Sequence, residues 1–229
     1  MSIKKSLLAL AAAAMATMAF ASPAMATDGV IRDHEGTAAI GNNTEVHMIG
    51  WAKFTTGKGS FECHVTAVIK ATGATGSTGD VTTFNVPDTT KCTGTGLLNG
   101  CKLTSHSSNT SFHATVTSNG KIDITKTGGK VTIINTFSGC LVKNLTTTFS
   151  SIELTPLKTG TTSPAPTGTE NRLGVTAALN EPIAGFEFEA SAVMHVEDIF
   201  GGKTEEAVIT TGKFEITGAA RCTYEISAV

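Results

Sequence analysis

The chain has 229 residues, a formal charge of −2, 40% hydrophobic residues, 24 glycines and five cysteines, and threonine makes up roughly one residue in six. This is enough apolar material to bury a core and excludes wholesale disorder. One Trp, one Tyr and a mildly acidic balance lack the basic patch and interleaved aromatics of a nucleic-acid binder. Frequent Thr and Gly favour strands joined by tight turns.

Residues 1–26 read as a secretory signal peptide. Lys4 and Lys5 form the basic start, an apolar run rich in Leu and Ala follows, and Ala24-Met25-Ala26 is a small-x-small cleavage site. The run is short for a membrane span, and no cysteine at the cleavage point offers a lipid anchor. No later segment is long and apolar enough to cross a bilayer as a helix. Trp51 and Tyr224 cannot furnish the two aromatic girdles of an outer-membrane barrel. The expectation is a soluble exported protein, extracellular or periplasmic, with a leader of bacterial style.

Residues 27–43 read as a polar arm with little pattern, free to complete the sheet edge of a neighbouring molecule. From there to residue 229, alternation with period two dominates. Phe61, Cys63, Val65, Ala67 and Ile69 alternate with polar residues, and so do Phe186, Phe188, Ala190, Ala192 and Met194. Each pattern is a strand with one buried and one wet face. No amphipathic helical pattern follows the leader.

The turns are read from register. A two-residue turn at Asn119-Gly120 would put the flanking apolar sets on opposite faces. A three-residue loop, Ser118-Asn119-Gly120, pairs Val116 with Ile122 and Ala114 with Ile124 and requires Gly120 to be left-handed. A two-residue loop at Gly128-Gly129 would pair Ile124 with Ile133, making 112–137 a three-stranded meander. In all, roughly ten to twelve short strands are expected, and the fold class read from them is an all-β antiparallel sandwich. The Pro/Thr/Gly-rich stretch 159–170 is a surface loop or linker. About 60 residues follow it, marginal for a core of their own, so 44–229 is read as one domain.

In an exported chain, Cys63, Cys92, Cys101, Cys140 and Cys222 imply disulfides. The odd count allows two intrachain bridges at most, and sequence alone does not fix connectivity. The preferred pairs are Cys63–Cys92 and Cys101–Cys140, leaving Cys222 as a buried thiol or an intermolecular partner. Their spacing does not suit zinc.

Functional motifs are few. Gly94-Thr95-Gly96-Leu97-Leu98-Asn99-Gly100 nearly matches a dinucleotide fingerprint, but its last glycine is one place late and no helix follows, so it is a turn. Glu187, Glu189, His195 and Glu197 share the polar face of one strand. Carboxylates so clustered offer hard oxygen ligands, making Glu187, Glu189 and Glu197 the candidates for a Ca²⁺ site. The competing reading is a charged edge that discourages aggregation. A hydrolase built on Glu187, Glu189 or His195 is a third reading.

The stretch from Phe61-Glu62-Cys63 through Lys91-Cys92 and Asn99-Gly100-Cys101-Lys102-Leu103-Thr104 to Ser138-Gly139-Cys140 resembles a loose group of secreted, Thr/Gly-rich, disulfide-containing bacterial proteins that are mostly uncharacterised. The ending Gly212-Lys213-Phe214-Glu215-Ile216-Thr217-Gly218 with Arg221-Cys222-Thr223 has the same character. The resemblance implies a secreted β-sandwich and assigns no catalytic residue. The functional expectation is therefore a non-enzymatic structural protein, associated with a surface or matrix and using no cofactor. Its partners would be other copies of itself or components of the cell envelope. The alternative is a monomeric extracellular module that binds a carbohydrate, a small molecule or Ca²⁺.

Overall fold

A computed structural model describes residues 29–33, 38–73, 76–108, 112–159, 173–217 and 224–227. The leader, most of 159–170 and Cys222 lie outside the described residues. In chain order the strands are β1 (Val30–Asp33), β2 (Glu45–Thr56), β3 (Gly59–Ala71), β4 (Thr78–Asn85), β5 (Thr93–Gly94), β6 (Lys102–Ser108), β7 (Phe112–Val116) and β8 (Ile122–Thr125). Then come β9 (Val131–Ser138), β10 (Val142–Phe149), β11 (Ile152–Thr159), β12 (Leu173–Thr176), β13 (Pro182–Ile183), β14 (Gly185–Asp198), β15 (Lys203–Ile216) and β16 (Tyr224–Ser227). The described residues contain no α-helix, only two short 3-10 turns, Thr89–Lys91 and Gly96–Leu98.

The all-β expectation holds, but the sheet closes where a sandwich would leave two. Along one path the strands run β11-β8-β7-β4-β3-β2-β15-β14, and a further pairing of β14 with β11 joins the ends into an eight-stranded barrel. Thr155, Pro156 and Leu157 make that seam opposite Glu187, Phe186 and Gly185. Sequence periodicity reports which face of a strand is buried. It does not report whether the buried face meets a second sheet or its own curled continuation, and this is why the barrel was not foreseen.

Strand β14 is the pivot. It pairs along its length with β15, while its other edge changes partner, from β11 at 185–187 to β10 at 193–198. Beyond β10 the sheet continues through β9 to β6, and on the far side β5 pairs with β3. Thus β2, β3, β14 and β15 are shared between a lower ring closed by hydrogen bonds and an upper set of strands ending at β5 and β6.

Alternation explains the core. On β3 the side chains of Phe61, Cys63, Val65, Ala67, Ile69 and Ala71 are buried and those between them are not. Phe61 meets Phe137 of β9 edge-on, with ring centroids 4.7 Å apart. Each fully buried side chain of this size contributes about 1.5–3 kcal/mol before ordering costs are set against it. Gly50 and Gly212 let the backbones approach: a Cβ at Gly50 would lie 1.9 Å from the Lys213 carbonyl oxygen, and one at Gly212 2.3 Å from the Phe188 ring.

The three-residue loop is present as read. Val116 pairs with Ile122 and Ala114 with Ile124, and Gly120 has φ of 83°. The second half of the meander is not. Ile124 pairs with Ile152 of β11, and β9 pairs with β10 and β6. Ile124 and Ile133 nevertheless line the same interior cavity, so matching apolar patterns arose from facing one another across the core and not from lying side by side. The arm is also in use. Its strand β1 pairs antiparallel with β16 of the same chain, with Val30, Ile31 and Ile40 buried, so these residues are not a free strand for a neighbour.

Both disulfides pin edge strands. Cys63 of β3 joins Cys92, just before β5, and Cys101, just before β6, joins Cys140, just after β9. These are the pairs preferred from the sequence.

Candidate functional site

The carboxylates singled out in the sequence all lie on β14, and strand geometry decides which can cooperate. Glu189 and Glu197 are eight residues apart, about 26 Å at the rise of an extended strand. The same separation divides Glu187 from His195. The three carboxylates are therefore not brought together as one calcium site, and His195 stands apart from Glu187, whereas Glu187 and Glu189, two residues apart on one face, line the same groove. No group of three or more His, Cys, Asp or Glu side chains among the described residues is placed to hold a metal ion.

The upper end of β14 carries a shallow groove of about 600 Å³ across β9, β10, β14 and the start of β15. Glu197 is engaged there, accepting hydrogen bonds from the Asn144 side-chain amide at 3.0 Å and from Lys143 at 3.2 Å. These two donors hold its carboxyl below the usual range, the Asn144 bond contributing most. His195 stands 3.5 Å from Glu205. Asp198 accepts from the amides of Phe200 at 2.8 Å and Gly202 at 2.7 Å, which fixes the β14–β15 turn.

The lower end carries a second groove of about 410 Å³ on the outer wall, and this is the candidate site. Register builds it: Trp51 on β2 pairs with Lys213 on β15, Lys213 with Glu187 on β14, and Glu187 with Thr155 on β11. One row of outward side chains therefore crosses four strands. In the next row Thr211 lies opposite Glu189. Lys213 Nζ is 3.8 Å from Glu187 Oε2, and Glu153, also lining the groove, is ion-paired with Lys121. An aromatic wall, carboxylates, hydroxyls and one ammonium thus line a cleft within the size range of small-ligand sites.

Sequence reasoning placed Glu187 and Glu189 here but missed Glu153, Thr155, Thr211 and Lys213. The outward direction of Trp51 was available from its position between inward Gly50 and Ala52. The contribution of β11 was not, because it depends on the long-range seam with β14.

The barrel interior is a different environment. Its cavity is about 50 Å³ and is lined by apolar side chains and Thr210, whose buried hydroxyl has no hydrogen-bond partner. That volume suits at most ordered water.

No protein-family model, curated protein or solved structure matches this chain. The functional reading therefore rests on the geometry described above.

Proposed function

We propose that the protein is an exported, non-enzymatic barrel with a structural or surface-associated role in a cell envelope or extracellular matrix. The observation that carries this reading is a barrel filled from within and stapled at its edges. The residual interior cavity is about 50 Å³, and each edge strand of the upper end is tied to its neighbour through a disulfide. Disulfides persist outside the reducing cytosol. They suit a scaffold that must last without chaperones, and with the leader they support a secreted location.

Polarity supports a place outside the bilayer plane. Most buried side chains are apolar, with Asn135, Thr147, Thr210, Glu215 and Ser227 the buried polar ones among the described residues, while outward side chains form ion pairs such as His113–Asp80 at 2.7 Å and His47–Glu45 at 3.1 Å. A transmembrane barrel carries the opposite arrangement, with an apolar outer band. No helix among the described residues is long and apolar enough to cross a membrane.

The test is the solution mass of the chain from Thr27 to Val229 by light scattering, with and without reductant. Assemblies heavier than a monomer are expected. A monomer under both conditions overturns the structural role. Collapse to monomers on reduction alone assigns the cross-link to a cysteine, with Cys222 the first to mutate.

A further inference from the structure

We infer that the groove beside Trp51 binds a neutral saccharide chain on the outer wall of the barrel. Trp51, Lys213, Glu187 and Thr155 stand in one cross-strand row. Three inter-strand spacings make that row about 14 Å long, room for a short oligosaccharide. Glu189 and Thr211 widen the floor by a second row.

The chemistry selects the ligand class. A pyranose ring has an apolar C–H face and a rim of hydroxyls. The indole of Trp51 offers the flat apolar surface. Glu187 and Glu189 accept hydroxyl protons in charge-assisted hydrogen bonds, and Lys213 and the threonine hydroxyls supply donors. An anionic ligand would meet three carboxylates, Glu153, Glu187 and Glu189. A cationic ligand would meet Lys213, which already fills the position between Trp51 and Glu187, 3.8 Å from the Glu187 carboxylate. A neutral polyhydroxylated ligand satisfies both signs.

The groove goes beyond the structural role and does not depend on it, since self-association and saccharide binding are separate measurements. Trp51 is the chain's one tryptophan, so its emission reports on this groove alone. The probes are cellohexaose, maltohexaose, mannohexaose and chitohexaose, with hexagalacturonate and spermine as charged comparators. A saturable change in emission is expected with at least one neutral probe. Glu189→Ala should weaken it about tenfold, as loss of a hydrogen bond involving a charged group does, and Thr211→Ala about threefold to fivefold, as loss of a neutral hydrogen bond does. Glu197→Ala, in the other groove, should leave it unchanged. Trp51→Ala should abolish binding followed by calorimetry. Because the Glu189 and Thr211 variants alter outward side chains alone, they keep the test valid if Trp51→Ala misfolds. The inference is overturned if none of the four neutral probes gives a saturable response at millimolar concentration. It is equally overturned if only hexagalacturonate or spermine responds, or if binding is indifferent to Glu189→Ala.

Discussion

The two ends of the barrel solve the same problem differently. In the lower ring the sheet returns on itself through the β11–β14 seam, so its strands have no exposed edge along the ring, and the one bridge cysteine on a ring strand, Cys63 of β3, leads away to Cys92 beside β5. In the upper end β5 and β6 are edge strands, joined through the 3-10 turn Gly96–Leu98 and not hydrogen-bonded into one sheet path. Both disulfides sit there, one beside each edge strand. Backbone pairing removes an edge where the ring closes. Where it does not close, covalent bonds hold the edge strand to its neighbour. Stability is thus supplied twice, by different means, around four shared strands.

The strongest way to break this comparison is to remove what both ends share. Phe149, the last residue of β10, is 1% exposed and lines the interior cavity where the chain passes from the upper end to the lower ring. Phe149→Ala should cost about 3–5 kcal/mol. Urea unfolding should show one transition at a lower midpoint. Two separate transitions would mean that the ends are independent units.

The disulfides test the upper end alone. Replacing Cys101 and Cys140 together by Ser opens a crosslink with a sequence separation of 39. It should cost about 3–4 kcal/mol in the chain-entropy model. Amide hydrogen exchange should quicken first in Lys102–Ser108 and Val131–Ser138, with Ile122–Thr125 and Ile152–Leu154 affected least. Uniform loss of protection would show that the staples support the whole barrel and not its edges.

A smaller change probes the shared strands. At Gly50 an added Cβ would lie 1.9 Å from a backbone oxygen and 2.8 Å from the Cα of Phe214. Neither is the movable end of a side chain, so Gly50→Ala should cost about 1–3 kcal/mol through forced backbone displacement. Thermal unfolding of this variant measures how tightly β2 must approach β15; an unchanged midpoint would mean that the sheet can relax there.

How much of this was legible in the sequence differs between the ends for a physical reason. Local alternation identified β3 and β14, and turn register identified the Ser118-Asn119-Gly120 loop, because each is decided by neighbours in the chain. The bridges join cysteines adjacent in chain order, the preferred pairing among several that sequence alone leaves open. The seam was not legible: pairing Thr155 with Glu187 depends on where β10 ends and β11 bends away, which no local pattern records. The candidate groove inherits both properties. Trp51, Glu187 and Glu189 could be read as outward residues, but the wall supplied by β11 appears only once the ring is closed. The Ile124–Ile133 pairing failed because alternation cannot separate a neighbour in the sheet from a neighbour across the core.

The mildest test sharpens the comparison at the lower ring itself, where closure brings like charges together. Asp123 on β8 lies directly opposite Glu153 on β11. Burial, and then the Glu153 charge, hold the Asp123 carboxyl above its ordinary range, with Lys121 partly offsetting them. For an acid whose pKa is raised on folding, the folded chain binds more protons than the unfolded one between the two values. Stability is therefore gained as pH falls through that window and withheld above it. Glu197 has the opposite sign: its lowered pKa marks a contribution present at neutral pH and lost as pH falls through the folded value. Asp123→Asn removes the repulsion and should stabilise the barrel at neutral pH by a few tenths of a kcal/mol, the scale of an opposed pair across strands. The gain should vanish below the carboxylate range, where Asp123 is itself protonated. Urea midpoints of both proteins at the two pH values measure it. A lower midpoint for Asp123→Asn at neutral pH would show that the carboxylate contributes a contact outweighing the repulsion, and that closing the ring carries no electrostatic cost at this pair.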